Sequence, residues 1–168
     1  ALDSTGNIFV TGRTAGNLSG VNAGNDDIFL TKLNSSGVIQ WHRQIGGSSA
    51  DSGYSVAVNS SDDIFVTGSG FFTVANGIDT FVVKWNANGT LAWTKQFGTT
   101  SNDYGRSIKV DTTGNAIVAG YTYGSLGGAN QGGTDMFVAK INPAGSTVTW
   151  SRQIGTASSD IGLGVATD

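Results

Sequence analysis

The sequence predicts an all-β fold assembled from a repeated four-stranded antiparallel unit. Three observations carry this. The chain of 168 residues holds 26 glycines, one proline and only 12% charged residues. Its polarity comes instead from Ser, Thr, Asn and Gly, a mix that disfavours helices and suits short strands joined by tight turns. One pattern also recurs: "GVIQWHRQIG" at 37–46, "GTLAWTKQFG" at 89–98 and "GSTVTWSRQIG" at 145–155. Finally, every apolar run is short and bounded by turn residues.

Each unit reads as four strands, labelled a to d. Strand a is "DSGYSVAVN" (51–59), repeated as "DYGRSIKVD" (103–111) and "DIGLGVATD" (160–168). Strand b is "NIFVTG" (7–12), "DIFVTG" (63–68) and "NAIVAG" (115–120). Strand c is "DIFLTKLN" (27–34), "DTFVVKWN" (79–86) and "DMFVAKIN" (135–142), and strand d carries Trp41, Trp93 and Trp150. The c–d connections "NSSG", "NANG" and "NPAG" are hairpin turns, with Asn opening and Gly accepting positive φ. The a–b connections "DSTGN", "NSSDD" and "DTTGN" are hairpin turns as well, so the four strands form a meander.

A meander that recurs with Trp spacings of 52 and then 57 residues is the signature of a β-propeller blade. The reading is three four-stranded blades per chain in one segment, 1–168. Blade 1 has strands b–d at 7–46, blade 2 spans 53–98 and blade 3 spans 105–155. A closing strand a lies at 161–168. Small residues on strand a (Ser55, Ala57, Gly164, Ala166) suit the crowded axis. The three tryptophans are structural repeat positions that cover the widening gap between blades, with the cation two residues on beside the ring. Propellers have typically about four to eight blades. The expectation is therefore a homodimer completing a six-bladed ring by interchain blade completion; the alternative is a fragment of a six- or seven-bladed single chain.

The runs "D-x-F-V-x-K-x-N-x-x-G-x-x-x-W", "G-N-x-x-V-x-G" and "D-x-G-x-x-x-x-V-D" resemble the SBBP beta-propeller repeat of bacterial and archaeal surface and secreted proteins. They are similar, too, to NHL-like and quinoprotein-like blades. The resemblance implies an extracellular or cell-surface setting and a non-enzymatic scaffold or protein-binding role, and it supplies no catalytic residues. Asp62 stands where the other a–b turns have glycine.

The b–c and d–a connections of a meander emerge on one face. There the sequence places six carboxylates: Asp27, Asp79 and Asp135 end the b–c loops, and Asp51, Asp103 and Asp160 close the d–a loops. With Phe71, Phe72, Tyr121 and Tyr123 they form the candidate ligand rim, open to a protein or, in a lectin-like alternative, a glycan. Turn capping is the competing reading of the aspartates.

Other chemistry finds no support in the sequence. Net charge is −3 without a basic run, which argues against nucleic acid. No apolar stretch approaches the roughly 20 residues of a membrane span. There is no Cys, and no D-x-D-x-D-G calcium loop, so no metal or cofactor is expected. His42, the one histidine, has no partner pattern for catalysis.

Overall fold

The computed structural model describes residues 1–71 and 77–168. Its strands fall into three antiparallel sheets, each a simple meander. The first contains β1 (Ile8–Thr14), β2 (Asp27–Leu33) and β3 (Ile39–Ile45). The second contains β4 (Ser52–Val58), β5 (Ile64–Gly70), β6 (Asp79–Trp85) and β7 (Leu91–Phe97). The third contains β8 (Asp103–Val110), β9 (Ala116–Thr122), β10 (Asp135–Ile141) and β11 (Val148–Ile154). These are the predicted strands; β4 and β8 begin slightly before positions 53 and 105.

The turns behave as their chemistry requires. Gly37, Gly89 and Gly145 have φ of 80°, 78° and 71°, and each N–H bonds back to the carbonyl of Asn34, Asn86 or Asn142. Asp62 adopts φ 61° where Gly6 and Gly114 have 81° and 84°, so the aspartate keeps the left-handed turn of its glycine counterparts.

The sheets stack in chain order, with one core in each gap. Phe9, Ile28 and Leu30 pack against Ile64, Val66 and Val83 in the first gap. Ala57, Phe65 and Val82 pack against Ile108, Val118 and Phe137 in the second. The middle sheet is thus covered on both faces, and every residue of β5 is buried.

The tryptophans join one sheet to the next. Trp41 packs on Phe9 and reaches the turn glycine of the second sheet, where a Cβ at Gly89 would lie 3.1 Å from the indole. Arg43 lies 4.7 Å from the Trp41 ring centre and donates from Nε to the Gly89 carbonyl at 2.7 Å. Trp93 repeats this one sheet later. Its Nε1 donates to the Pro143 carbonyl, Lys95 donates to the Ser146 carbonyl, and the indole fills the space beside Gly145. Trp150 has no following turn and is 39% exposed.

Lys32, Lys84 and Lys140 on the third strand of each unit pair with Asp3, Asp63 and Asp111 at 2.8–3.1 Å. The same ion pair thus recurs in each of the three sheets.

One expectation needs correction. Residues 161–168 form no strand, because no neighbouring strand pairs with them among the described residues. The segment nevertheless occupies the inner-strand position of a further blade. Val165 N–H bonds Ser107 Oγ at 3.2 Å, as Ile108 N–H bonds Ser55 Oγ at 3.3 Å one blade earlier. Gly162 rests on the Gly120 carbonyl as Gly105 rests on that of Gly68. Leu2, Ala57, Lys109 and Ala166 from four successive inner segments line a cavity of about 510 Å³.

Candidate functional site

The predicted rim has two components. The aspartates turn inward. Asp27, Asp51, Asp79, Asp103 and Asp135 are buried, and Asp160 is half-buried. Asp51, Asp103 and Asp160 clamp the start of their own loops, accepting the N–H of Gly47, Thr99 and Thr156 at 2.6–2.7 Å. Asp51 accepts the N–H of Phe71 as well, at 2.7 Å.

The other three aspartates explain the Gln and final Gly of the recurring pattern. Gln44, Gln96 and Gln153 donate from Nε2 to the Oδ2 of Asp27, Asp79 and Asp135 at 2.9, 2.6 and 2.8 Å. A Cβ on Gly46, Gly98 or Gly155 would collide with the Oδ1 of the same aspartates. Those Oδ1 atoms are buried and have no hydrogen-bond partner among the described residues.

Burial raises the Asp79 carboxyl above its ordinary range, and the neighbouring Asp103 charge adds to this against the bond from Gln96. Burial raises Asp51 likewise, opposed by the Gly47 and Phe71 N–H groups and reinforced by Asp27. Asp103 is raised by burial that its hydrogen bonds only partly offset. No group of three or more His, Asp or Glu side chains able to hold a metal occurs among the described residues.

The second component is aromatic. Tyr121 and Tyr123, both on the predicted rim, gather with Tyr54, Tyr104 and Arg106, which the sequence reading did not single out. All four tyrosines of the chain are in this cluster. Tyr104 stacks on Tyr121 with centroids 4.9 Å apart, and Tyr123 meets both edge-on at 6.5 and 6.3 Å. The Arg106 guanidinium lies 4.3, 5.6 and 5.2 Å from the rings of Tyr54, Tyr104 and Tyr121. It donates to the Tyr121 hydroxyl at 2.8 Å. Tyr54 and Tyr123 are 42% and 53% exposed.

Two β-bulges bring Arg106 and Tyr54 together. The β8–β9 register jumps between Gly105 and Ser107, and the β4–β5 register jumps between Gly53 and Ser55. Arg106 and Tyr54 are therefore the skipped residues, with side chains re-aimed out of the ladder. The signal was present in the sequence: these positions differ between units where their neighbours repeat. Phe71 is half-buried, and Phe72 lies outside the described residues. His42 Nδ1 and the Thr31 hydroxyl share a hydrogen bond at 2.9 Å.

Comparison with known proteins agrees with this frame. The SBBP beta-propeller repeat matches residues 40–70 and 92–127. A Caulobacter vibrioides protein named Regulatory protein FlaEY is 26% identical over 157 residues, 82% of this chain and 16% of that protein. A WD repeat-containing protein, L264, of Acanthamoeba polyphaga mimivirus, described as uncharacterized, is 26% identical over 182 residues, 87% of this chain and 13% of that one. This chain thus spans a minor part of both relatives. Its three meander sheets and the tryptophan bridges between them fit these two matches to the SBBP beta-propeller repeat.

Proposed function

We propose that the chain is a non-enzymatic interaction module. Its repeated frame presents a few unrepeated side chains to a partner. The observation that carries this is the collection of Tyr54, Tyr104, Arg106, Tyr121 and Tyr123 in one cluster, two of them on inner-strand bulges. Tyr and Arg, with Trp, are enriched at energetic centres of protein interfaces. The low charge and the Ser, Thr, Asn and Gly content support a surface or secreted setting. Selection of phage-displayed random dodecapeptides on the wild-type chain and on a Tyr54→Ala/Tyr123→Ala variant tests the module. Enrichment on the wild type that the variant loses supports it; equal enrichment on both, or none, overturns it.

The assembly proposed with it is a six-bladed ring from two chains. The exposed Trp150 is the unfilled donor of the tryptophan bridge. Gly37, where a Cβ would meet open space, is the unfilled acceptor; the equivalent Gly89 and Gly145 are filled by Trp41 and Trp93. Docking Trp150 on the Asn34–Gly37 turn of a second copy satisfies both ends by the contact already used twice within the chain, with two-fold symmetry.

A further inference from the structure

We infer that the Arg106–tyrosine cluster receives a carboxylate side chain of an acidic peptide segment. The inference rests on the interaction-module reading and names its ligand chemistry. Charge pairing comes first. Arg13, Lys32, Lys84 and Lys140 each hold an aspartate, Arg43, Lys95 and Arg152 donate to backbone carbonyls, and Lys109 is exposed. Arg106 has no carboxylate partner among the described residues, and the chain as a whole carries net charge −3. A half-buried guanidinium surrounded by phenol rings is a cation left without its counter-charge.

Hydrogen-bonding capacity adds a second, independent argument. Arg106 Nε is buried and has no hydrogen-bond partner among the described residues, while Nη2 is committed to the Tyr121 hydroxyl. Guanidinium forks match carboxylates in plane, and a buried unsatisfied donor is costly until something accepts from it. A carboxylate arriving beside the exposed Tyr54 and Tyr123 supplies that acceptor, and the phenols cover its approach.

The ring geometry favours a peptide over a sugar. Tyr104 and Tyr121 each spend a face on the other, and Tyr54 spends one on Arg106. Tyr123 meets its neighbours edge-on. The faces on which a sugar ring would stack are largely used inside the cluster, and what remains on offer is hydroxyls, edges and the guanidinium.

The test uses the 168-residue chain as wild type, Arg106→Gln and Arg106→Lys, each checked for native near-UV circular dichroism. Random dodecapeptides displayed on phage are selected on each, and selected sequences are synthesised with every Glu and Asp, or with their isosteric amides. Wild type should enrich acidic residues. Fluorescence polarisation should then show at least about tenfold weaker binding for Arg106→Gln and for the amide peptides, with Arg106→Lys between. The amide arm needs no variant, so it decides the matter even if Arg106→Gln does not fold. Peptides selected without acidic enrichment, or bound equally after amidation, overturn the ligand chemistry and leave the module reading standing. Peptide enrichment equal to that on Tyr54→Ala/Tyr123→Ala overturns both. Oligogalacturonate binding lost in Arg106→Gln, with no acidic peptide selected, overturns the peptide in favour of an acidic glycan.

Discussion

The indole Nε1 of Trp93 donates to the backbone carbonyl of Pro143, 3.2 Å away and 50 residues further along the chain. A strand of one sheet is thereby fastened to the hairpin turn of the next. Trp93→Ala removes this bond together with the packing on Phe65, where the rings meet at 6.0 Å. The expected loss is about 2–3 kcal/mol. Trp150→Ala in the isolated monomer should cost less than about 1 kcal/mol, because that ring has no turn to fill. Urea denaturation midpoints of the two variants check the difference.

The same asymmetry makes assembly measurable. Light scattering on the wild-type chain should give a dimer that dissociates in Trp150→Ala and in Gly37→Phe, which occupies the acceptor turn. A wild-type mass of one chain across the accessible concentration range would refute the two-chain ring.

Gln153 organises a loop as well as an aspartate. Its Oε1 accepts from Leu126 and Gly127 N–H, and its Nε2 donates to the Gly124 carbonyl and to Asp135. Gln153→Leu keeps much of the bulk and removes all four bonds. We expect about 1–3 kcal/mol of destabilisation, with faster amide exchange through 124–131 read by mass spectrometry.

Glycine at position 98 is a steric requirement, because a methyl there would strike the Asp79 carboxylate. Gly98→Ala should cost about 1–3 kcal/mol. Gly37→Ala meets open space and incurs chiefly the left-handed backbone penalty of about 1 kcal/mol. Thermal unfolding of both variants separates the two causes.

Stability should depend on pH in two opposite ways. Asp51, Asp79 and Asp103 have folded-state pKa values raised above their unfolded values, so the fold holds more protons than the unfolded chain in that window. Their contribution is greatest below the ordinary carboxylate range and is lost as pH rises through the raised values. At Asp3 and Asp111 burial opposes ionisation, but hydrogen bonds from Asn7 and Lys32, and from Lys140 and Asn115, outweigh it and hold the carboxyls low. Their contribution is present above the ordinary range and lost on acidification. Melting temperature should therefore peak in weakly acidic buffer. Asp79→Asn should flatten the alkaline side of that curve, and Asp111→Asn the acid side.

Most of the frame could be read in the sequence because repetition doubles as evidence. "DTFVVKWN" and its two copies could only be one strand used three times, and Asn–x–x–Gly between apolar runs has one economical turn geometry. The tryptophans were legible as bridges for the same reason. The terminal segment was not, since its sequence matches β8 while a ladder depends on a paired neighbour, which it does not have among the described residues. The aspartates were visible as a set, but their direction was not. Whether a loop carboxylate faces solvent or its own backbone depends on the Gln and Gly of a strand about 18 residues away. The Tyr–Arg cluster escaped because it joins residues from two different repeats. A search for what recurs passes over what differs.

The bulges carry a consequence for how such chains diversify. Tyr54 and Arg106 sit at skipped positions, outside the paired register of the inner strands. Leu163 holds the corresponding place in the terminal segment. The architecture thereby separates its hardware from its lettering: the repeated positions hold the sheets together, and one unrepeated character per unit, Tyr54, Arg106 or Leu163, is written between them.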